Sequence, residues 1–372
     1  MRMGFIVNPI AGMGGKVGLK GTDGVLERAI ERGAQPIAPA RAIEFLRRLR
    51  ENAGNLQVEI LSCPGVMGAN EADTAGMPVK VLNMKIRKET SAKDTESAVR
   101  LLLVEKVDLI VFVGGDGTAK DIMDAMQGNE KTPVLGVPSG VKMYSGIFAV
   151  SPSDAVKAVI AFVRGRANLI NVEIVDADEN ASRNDVFSIK LHGYLKGLSV
   201  PMRIQGCKQV SPETTDEKKN QNAIARFMIE QMPSEGTFLL GPGTTVGQIS
   251  ELLGVKKTVL GVDIYEKGKV KLDVNEKTIL ERIKDWKNTW LIVSPIGRQG
   301  MLLGRGNQQV SPEIIRHLGK EHIIIVATRS KLESIEGRTL RVDTGDPEID
   351  EMLRGPIMII TNRKESVLAQ IQ

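Results

Sequence analysis

Residues 108–121, DLIVFVGGDGTAKD, constrain the fold of this chain more than any other stretch. The run Asp108–Val113 is apolar and β-branched, which reads as a fully buried strand. It stops at Gly114-Gly115-Asp116-Gly117-Thr118, and a helical pattern follows over Ala119–Met126. A strand feeding a glycine turn and then a helix gathers backbone N–H groups and the positive helix end at one point. The glycines let a ligand approach the backbone closely and tolerate positive φ. Asp116 is out of keeping with such a turn, because a carboxylate repels phosphate. It is there for a hydroxyl proton, for a metal ion, or to cap its own turn. Thr118 is placed to cap the helix. Asp121, read as part of the first turn, either complements the helix dipole or adds a second acid to the site.

The same alternation extends over the first 145 residues or so. Strands are expected at Gly4–Val7, Val58–Leu61, Val79–Leu82 and Pro133–Val137, and helices at Ala40–Arg50 and Glu96–Glu105. Such alternation predicts an α/β fold with a doubly wound parallel sheet. From about residue 168 the texture changes: Asn168–Asp176, Val186–Leu191 and Leu198–Ile204 are strand-like, without long helices between them. A helix over Glu213–Gln231 opens on Ser211-Pro212 as N-cap and first helical residue. Thr237–Leu240 leads into Gly241-Pro242-Gly243-Thr244-Thr245, Val259–Ile264 precedes a helix over Glu276–Lys287, and Trp290–Val293, Ile323–Ala327 and Ile357–Ile360 are late strands. The expected division is 1–150 as an α/β domain carrying GGDGT and 151–372 as a β-rich, mixed second domain. The C-terminal strands either stay in that domain or return to the first.

Three further glycine turns follow strands: Asn8-Pro9-Ile10-Ala11-Gly12-Met13-Gly14-Gly15-Lys16, Pro138-Ser139-Gly140-Val141-Lys142, and the Gly241–Thr245 turn. Any one of them alone is commonly just a tight turn. Four at strand ends, where doubly wound sheets bind, favour a phosphate-rich ligand. Two fingerprints fail. A Walker A loop needs Ser or Thr after Gly-Lys, and Gly15-Lys16 is followed by Val17, which also breaks the GxGxxG spacing.

Composition excludes other classes. With 42% hydrophobic and 26% charged residues the 372-residue chain is that of a globular protein. Aromatics at 3% imply an aliphatic core and argue against base stacking. The net charge of +5 is dispersed among acids, so no nucleic-acid partner is expected, although a mild positive balance suits an anionic small-molecule substrate. Cys63 and Cys207 are too far apart for a zinc knuckle or disulfide framework. His192, His317 and His322 lack metal-ligand spacing, so no protein metal site is expected. No apolar run approaches the ~18 residues of a membrane span. Met1-Arg2-Met3 runs straight into a strand, which leaves a signal peptide no room and makes a cytoplasmic location the expectation.

GGDGT between strand and helix resembles the turn shared by NAD kinases and the diacylglycerol and sphingosine lipid kinases. Asn8-Pro9 with its glycines is similar to the first-strand turn of the lipid-kinase branch. Gly136-Val137-Pro138-Ser139-Gly140, followed by Phe148-Ala149, resembles the next nucleotide-side turn of both branches. Gly241–Thr245, Ser294–Arg298 and Gly304–Gln308 extend the likeness over nearly the whole chain, towards the divergent, largely prokaryotic ATP-NAD kinase-like group. The resemblance implies an α/β domain with GGDGT, a β-rich domain closing over it, and a homo-oligomer. It implies Mg²⁺-dependent phosphoryl transfer from ATP, or polyphosphate, onto a hydroxyl. In NAD kinases that hydroxyl is the adenosine 2′-hydroxyl of NAD, and the product is NADP.

The roles implied by the resemblance are Asp116 as base or hydroxyl anchor and Gly114, Gly115, Gly117 and Thr118 lining the phosphates. Asn8, Gly12, Gly14, Gly15 and Lys16 would lie near the donor nucleotide, with Ser139, Gly140 and Lys142 in the neighbouring turn. Lys142 either neutralises phosphate charge or is simply solvated. Gly243, Thr244 and Thr245 match a later Gly-Ser/Thr turn of the family. Two departures bear on the acceptor. NAD kinases hold the adenosine ribose with an Asn-Glu pair on a second-domain strand, whereas here Asn129-Glu130 falls too early and Asn275-Glu276 precedes a helix, where capping explains it. The lipid-kinase turn Pro-x-Gly-Thr-x-Asn has Val141 and Met143 at its last two informative places. The transfer machinery is kept and the acceptor site altered. A polyol, sugar or lipid acceptor, or a non-catalytic nucleotide sensor, are therefore the rival readings.

Overall fold

The computed structural model describes residues 1–13, 30–31, 33–54, 56–87, 90–129, 131–140, 143–177, 189–199, 215–296, 300–304, 306–335 and 339–372. Their contacts fall into two compact units, the first holding the described residues up to 199 and the second those from 215 onward.

The first unit is built on a seven-stranded sheet of β1 (Arg2–Val7), β2 (Glu59–Ser62), β3 (Lys80–Val81), β4 (Leu109–Gly114), β5 (Val134–Pro138), β6 (Asn168–Ala177) and β7 (Ile189–Ser199). The order is β3-β2-β1-β4-β5-β7-β6, parallel throughout except for β6, which runs antiparallel to β7. Every residue of β4 is buried, and its period-2 pattern divides it between two layers. Leu109, Val111 and Val113 pack with α1 (Ala38–Asn52) and α5 (Pro152–Val163). Ile110 and Phe112 face α3 (Ala92–Val104) and α4 (Asp116–Ala125) on the other side. The short α2 (Ala69–Thr74) lies between β2 and β3 in sequence. Each large apolar side chain so buried contributes about 1.5–3 kcal/mol. Ser91 and Asp94 form a capping box at the start of α3, and Ser151 accepts from the Asp154 amide ahead of Pro152 in α5. The strand order reverses between β1 and β4, and a doubly wound sheet opens its ligand crevice at the carboxyl ends of such a pair.

Two expectations change here. The strands expected at Val186–Leu191 and Leu198–Ile204 are, over the described residues, the single strand β7, paired with β6 along its length. Gly193 and Gly197 sit inside the ladder. A Cβ on Gly197 would stand 2.9 Å from Val172 Cγ2, and one on Gly193 3.0 Å from Met123 Sδ, so they are glycine for close packing. Because β7 pairs with β5, this ribbon extends the first sheet, and the first unit runs past the expected boundary at 150. The change of texture near 168 marks an antiparallel edge rather than a new domain.

The second unit has a nine-stranded sheet of β8 (Thr237–Leu240), β9 (Asp263–Glu266), β10 (Lys269–Lys271), β11 (Thr289–Val293), β12 (Met301–Leu303), β13 (Ile323–Val326), β14 (Thr339–Val342), β15 (Gly355–Asn362) and β16 (Glu365–Ile371). Its order is β10-β9-β8-β11-β13-β15-β16-β14-β12. Strands β8, β11, β13 and β15 are parallel, with antiparallel pairings at β9–β10, β8–β9 and β15–β16. All the late strands therefore belong to this sheet, and none of the described residues returns to the first. Helices α6 (Thr215–Gln231), α7 (Thr244–Leu252), α8 (Glu276–Arg282), α9 (Pro312–Leu318), α10 (Arg329–Ser334) and α11 (Pro347–Leu353) complete the unit. Ser211-Pro212, the expected start of α6, lies outside the described residues. The strand expected from Val259 begins only at Asp263; the Val259 carbonyl instead accepts the Gly243 N–H at 2.9 Å, from the turn after β8.

Candidate functional site

The helix after GGDGT starts earlier than its periodicity suggests. Gly115 is the N-cap in extended conformation (φ −122°), and Asp116 is the first helical residue. Thr118 is therefore not the cap but the third residue of α4, buried, where its Oγ1 accepts from Asn8 Nδ2 at 2.9 Å. Asp121 falls beyond the first turn, in which Asp116 is the acidic residue.

Asp116 is aimed by backbone. One carboxylate oxygen accepts the Tyr144 N–H at 2.7 Å and the other the Ser145 N–H at 3.0 Å. Those amides are themselves fixed. Ser145 Oγ donates to the Val175 carbonyl at 3.1 Å and accepts the Val175 N–H at 3.0 Å, and Gly146 N–H donates to the Glu173 carbonyl at 2.9 Å. Gly136 exchanges bonds with Ile147 and Ala149, which ties the segment to β5 as well. Burial, and next the charge of Asp116, drive the Tyr144 hydroxyl well above its ordinary pKa, so it stays protonated.

Three turns close on one another at the reversal point. Asn8 donates its N–H to the Val113 carbonyl at 3.0 Å, and its Oδ1 accepts from Ile10 N–H at 3.3 Å. Gly12 has φ +82°, and a Cβ there would stand 1.9 Å from the Ser139 carbonyl oxygen. Ser139 N–H in turn donates to the Gly114 carbonyl at 3.2 Å, and a Cβ on Gly114 would lie 2.6 Å from Thr118 Oγ1. Gly115 faces open space. Ser139 is 1% exposed, and its Oγ has no hydrogen-bond partner among the described residues. A buried hydroxyl without a partner is costly unless a ligand meets it.

Asn8, Gly12, Gly114, Gly115, Asp116, Gly117, Thr118, Ser139 and Gly140 thus come together at one edge of the first sheet. Gly14, Gly15, Lys16 and Lys142 lie outside the described residues. Gly243, Thr244 and Thr245 belong to the second unit. There Gly243 (φ +106°) caps α7, Thr245 is buried, and Thr244 Oγ1 accepts from Gln221 Nε2 at 3.3 Å. A cavity of about 370 Å³ opens beside them, bounded also by Lys218, Lys257 and Thr258. Sequence reasoning missed Tyr144 and Ser145, because a backbone amide leaves no trace in residue type.

The orphaned Ser139 hydroxyl, the open face of Gly115 and the first-turn amides of α4 suit an oxygen-rich anion. Among the described residues no three His, Cys, Asp or Glu are placed to hold a metal by themselves. Magnesium fits here only in company with ligand phosphates, its usual manner of binding.

Two α/β units with glycine turns at the carboxyl ends of the first sheet have the form of a phosphate- or nucleotide-binding protein. Residues 3–167 match the ATP-NAD kinase N-terminal domain, and residues 234–371 match the ATP-NAD kinase C-terminal domain. The chain belongs to the ATP-NAD kinase family. Among solved structures it is similar to a putative diacylglycerol kinase from Bacillus anthracis str. Sterne, with 14% identity over 64% of this chain and 58% of that one and a TM-score of 0.25. The chain therefore spans less than two thirds of that protein's length. No curated protein matches it. No helix among the described residues is long and apolar enough to cross a membrane.

Proposed function

We propose that this protein transfers a phosphoryl group from ATP to a hydroxyl, and that the hydroxyl is the adenosine 2′-hydroxyl of NAD, giving NADP. The observation that supports this most is Asp116, a carboxylate at the first helical position, aimed by two amides within a turn otherwise made for anions. Asp116 anchors the acceptor hydroxyl and takes its proton as the oxygen attacks phosphorus. Gly114, Gly115, Gly117 and Ser139 hold the donor phosphates through N–H and hydroxyl groups, and Asn8 and Thr118 brace β1 against α4 so that the turn keeps its shape. Mg²⁺ bound with the donor would withdraw charge from the transferring group. Gly14, Gly15, Lys16, Gly140 and Lys142 complete the donor side on this reading, and Gly243, Thr244 and Thr245 are read as a phosphate-binding turn of the second unit.

The test is NADP formation from NAD, ATP and Mg²⁺, with Asp116→Asn alongside. Loss of the base lowers turnover ~10²- to 10⁴-fold. An Asp116→Asn protein with full turnover would sink the assignment. One observation favours a different acceptor. Asn275 Oδ1 caps α8 by accepting the Thr278 N–H at 2.9 Å, and Asn129 Oδ1 accepts from the amides of Lys131 and Thr132, so neither amide is placed as a ribose ligand. A panel of polyols, sugars and sphingoid bases assayed for ADP release separates that reading from the NAD one.

A further inference from the structure

We propose that the carboxyl ends of β11 and β13 form an oxyanion site in the second unit, with Lys331 Nζ supplying the charge and Ser294 Oγ beside it. The group it takes is a phosphate, and that identity rests on the phosphotransferase reading above.

The strand order of the second sheet reverses between β8 and β11. The chain leaves β8 for β9 and β10 on one side and comes back to β11, β13 and β15 on the other. The ligand crevice of such a sheet lies outside the carboxyl ends of those strands. Ser294 follows β11 and is 2% exposed, and Thr328 to Lys331 follow β13. Lys331 is half-buried, and its Nζ donates to Ser294 Oγ at 3.0 Å. That is the one hydrogen bond of the ammonium among the described residues, and an ammonium carries three donors.

The carboxylate facing it, Glu217 of α6, is already engaged. Glu217 Oε1 accepts from Thr328 Oγ1 at 2.6 Å, and Oε2 accepts from the Ser330 hydroxyl. The neighbouring Arg329 is paired with Glu365 at 2.6 Å. Burial holds the Lys331 ammonium down to about 8, with Glu217 opposing. A lysine kept there at such a cost, with donors to spare, is what an incoming oxyanion requires.

Helix α6 carries the same edge across the sheet. Asn220 Nδ2 donates to the Thr361 carbonyl at 2.8 Å, at the end of β15, while Gln221 reaches Thr244 at the head of α7. Lys331, the Gly243–Thr245 turn and the cavity beside Lys218 therefore share one edge of one sheet, at the point where its order turns back.

The test is trace acetylation of lysines in the intact protein at pH 8, read by peptide mass spectrometry with and without inorganic pyrophosphate at constant ionic strength. Bound pyrophosphate is expected to lower Lys331 labelling about threefold once its concentration is about twice its Kd. Labelling of the exposed Lys277 stays unchanged, and Ser294→Ala shifts the protection to higher concentration. Asp116→Asn, which stops transfer on the reading above, keeps the protection, so failure of that reading and failure of this one remain distinguishable. Unchanged Lys331 labelling with pyrophosphate, ATP and NAD would overturn the site. So would equal protection of Lys277.

Discussion

Replacing Lys331 by methionine keeps the aliphatic volume and removes the charge. In the folded chain the Lys331 ammonium is held at about 8, against an ordinary value of 10.5, by burial. At about 1.36 kcal/mol per pH unit, that drop corresponds to about 3 kcal/mol of native-state cost, reduced to about 2 kcal/mol by solvent screening of a half-buried group. The sign follows from proton counting. Between pH 8 and 10.5 the unfolded chain holds this proton and the folded chain does not, so stability rises with pH through that window. Below pH 8 the whole cost is present. Against it stands the lost bond to Ser294, whose Oγ is left without its donor at about 1 kcal/mol. The net expectation at pH 7 is that Lys331→Met is more stable by about 1 kcal/mol, that this gain shrinks as the pH rises past 8 and changes sign near about pH 9, and that it has become a deficit of about 1 kcal/mol by pH 10.5. Guanidinium unfolding followed by tryptophan fluorescence reads the right region, since both tryptophans, Trp286 and Trp290, lie in the second unit. A variant less stable than the parent at pH 7, or a difference that ignores pH, would refute the reasoning.

Two further outcomes concern packing around the sites. Gly12→Ala forces a side chain onto a residue with φ +82°, 1.9 Å from the Ser139 carbonyl, so it should cost at least about 1–2 kcal/mol. Because the clash pushes on Ser139, turnover should fall as well; a variant with parental Tm and parental rate would contradict the packing of the three turns. Asn307→Ala removes a fully buried amide whose Oδ1 accepts from Gly304 N–H at 3.0 Å and whose Nδ2 donates to the Leu302 carbonyl at 2.9 Å. About 2–3 kcal/mol should be lost from the tryptophan-monitored transition, and an unchanged midpoint would show that these bonds are replaced by water.

The first sheet was legible because its signals are local. Short apolar runs rich in β-branched residues, such as Leu109–Val113, favour strands when glycines bound them, and those glycines show where the chain must turn closely. Strand β6 is legible on the same grounds, whereas β7 is not, for a complementary reason. Gly193 and Gly197 are glycine because Met123 and Val172 press on them, and a contact between residues distant in sequence resembles a local break when read locally. Thr118 poses the same difficulty. A threonine near a helix start looks like a cap until Asn8, 110 residues away, is found on its hydroxyl. The acid at the centre of the site was identifiable from its neighbours in sequence. What aims it was not, since the amides of Tyr144 and Ser145 do not depend on residue type.

That aiming has a consequence for how such a site can change. Tyr144 and Ser145 take their position from Val175 and Glu173, on a strand at the very margin of the sheet. The carboxylate is therefore steered from the periphery. A substitution on β6 can retune where Asp116 points while every residue of GGDGT stays as it is. The rim of the sheet works as the adjusting screw of its centre.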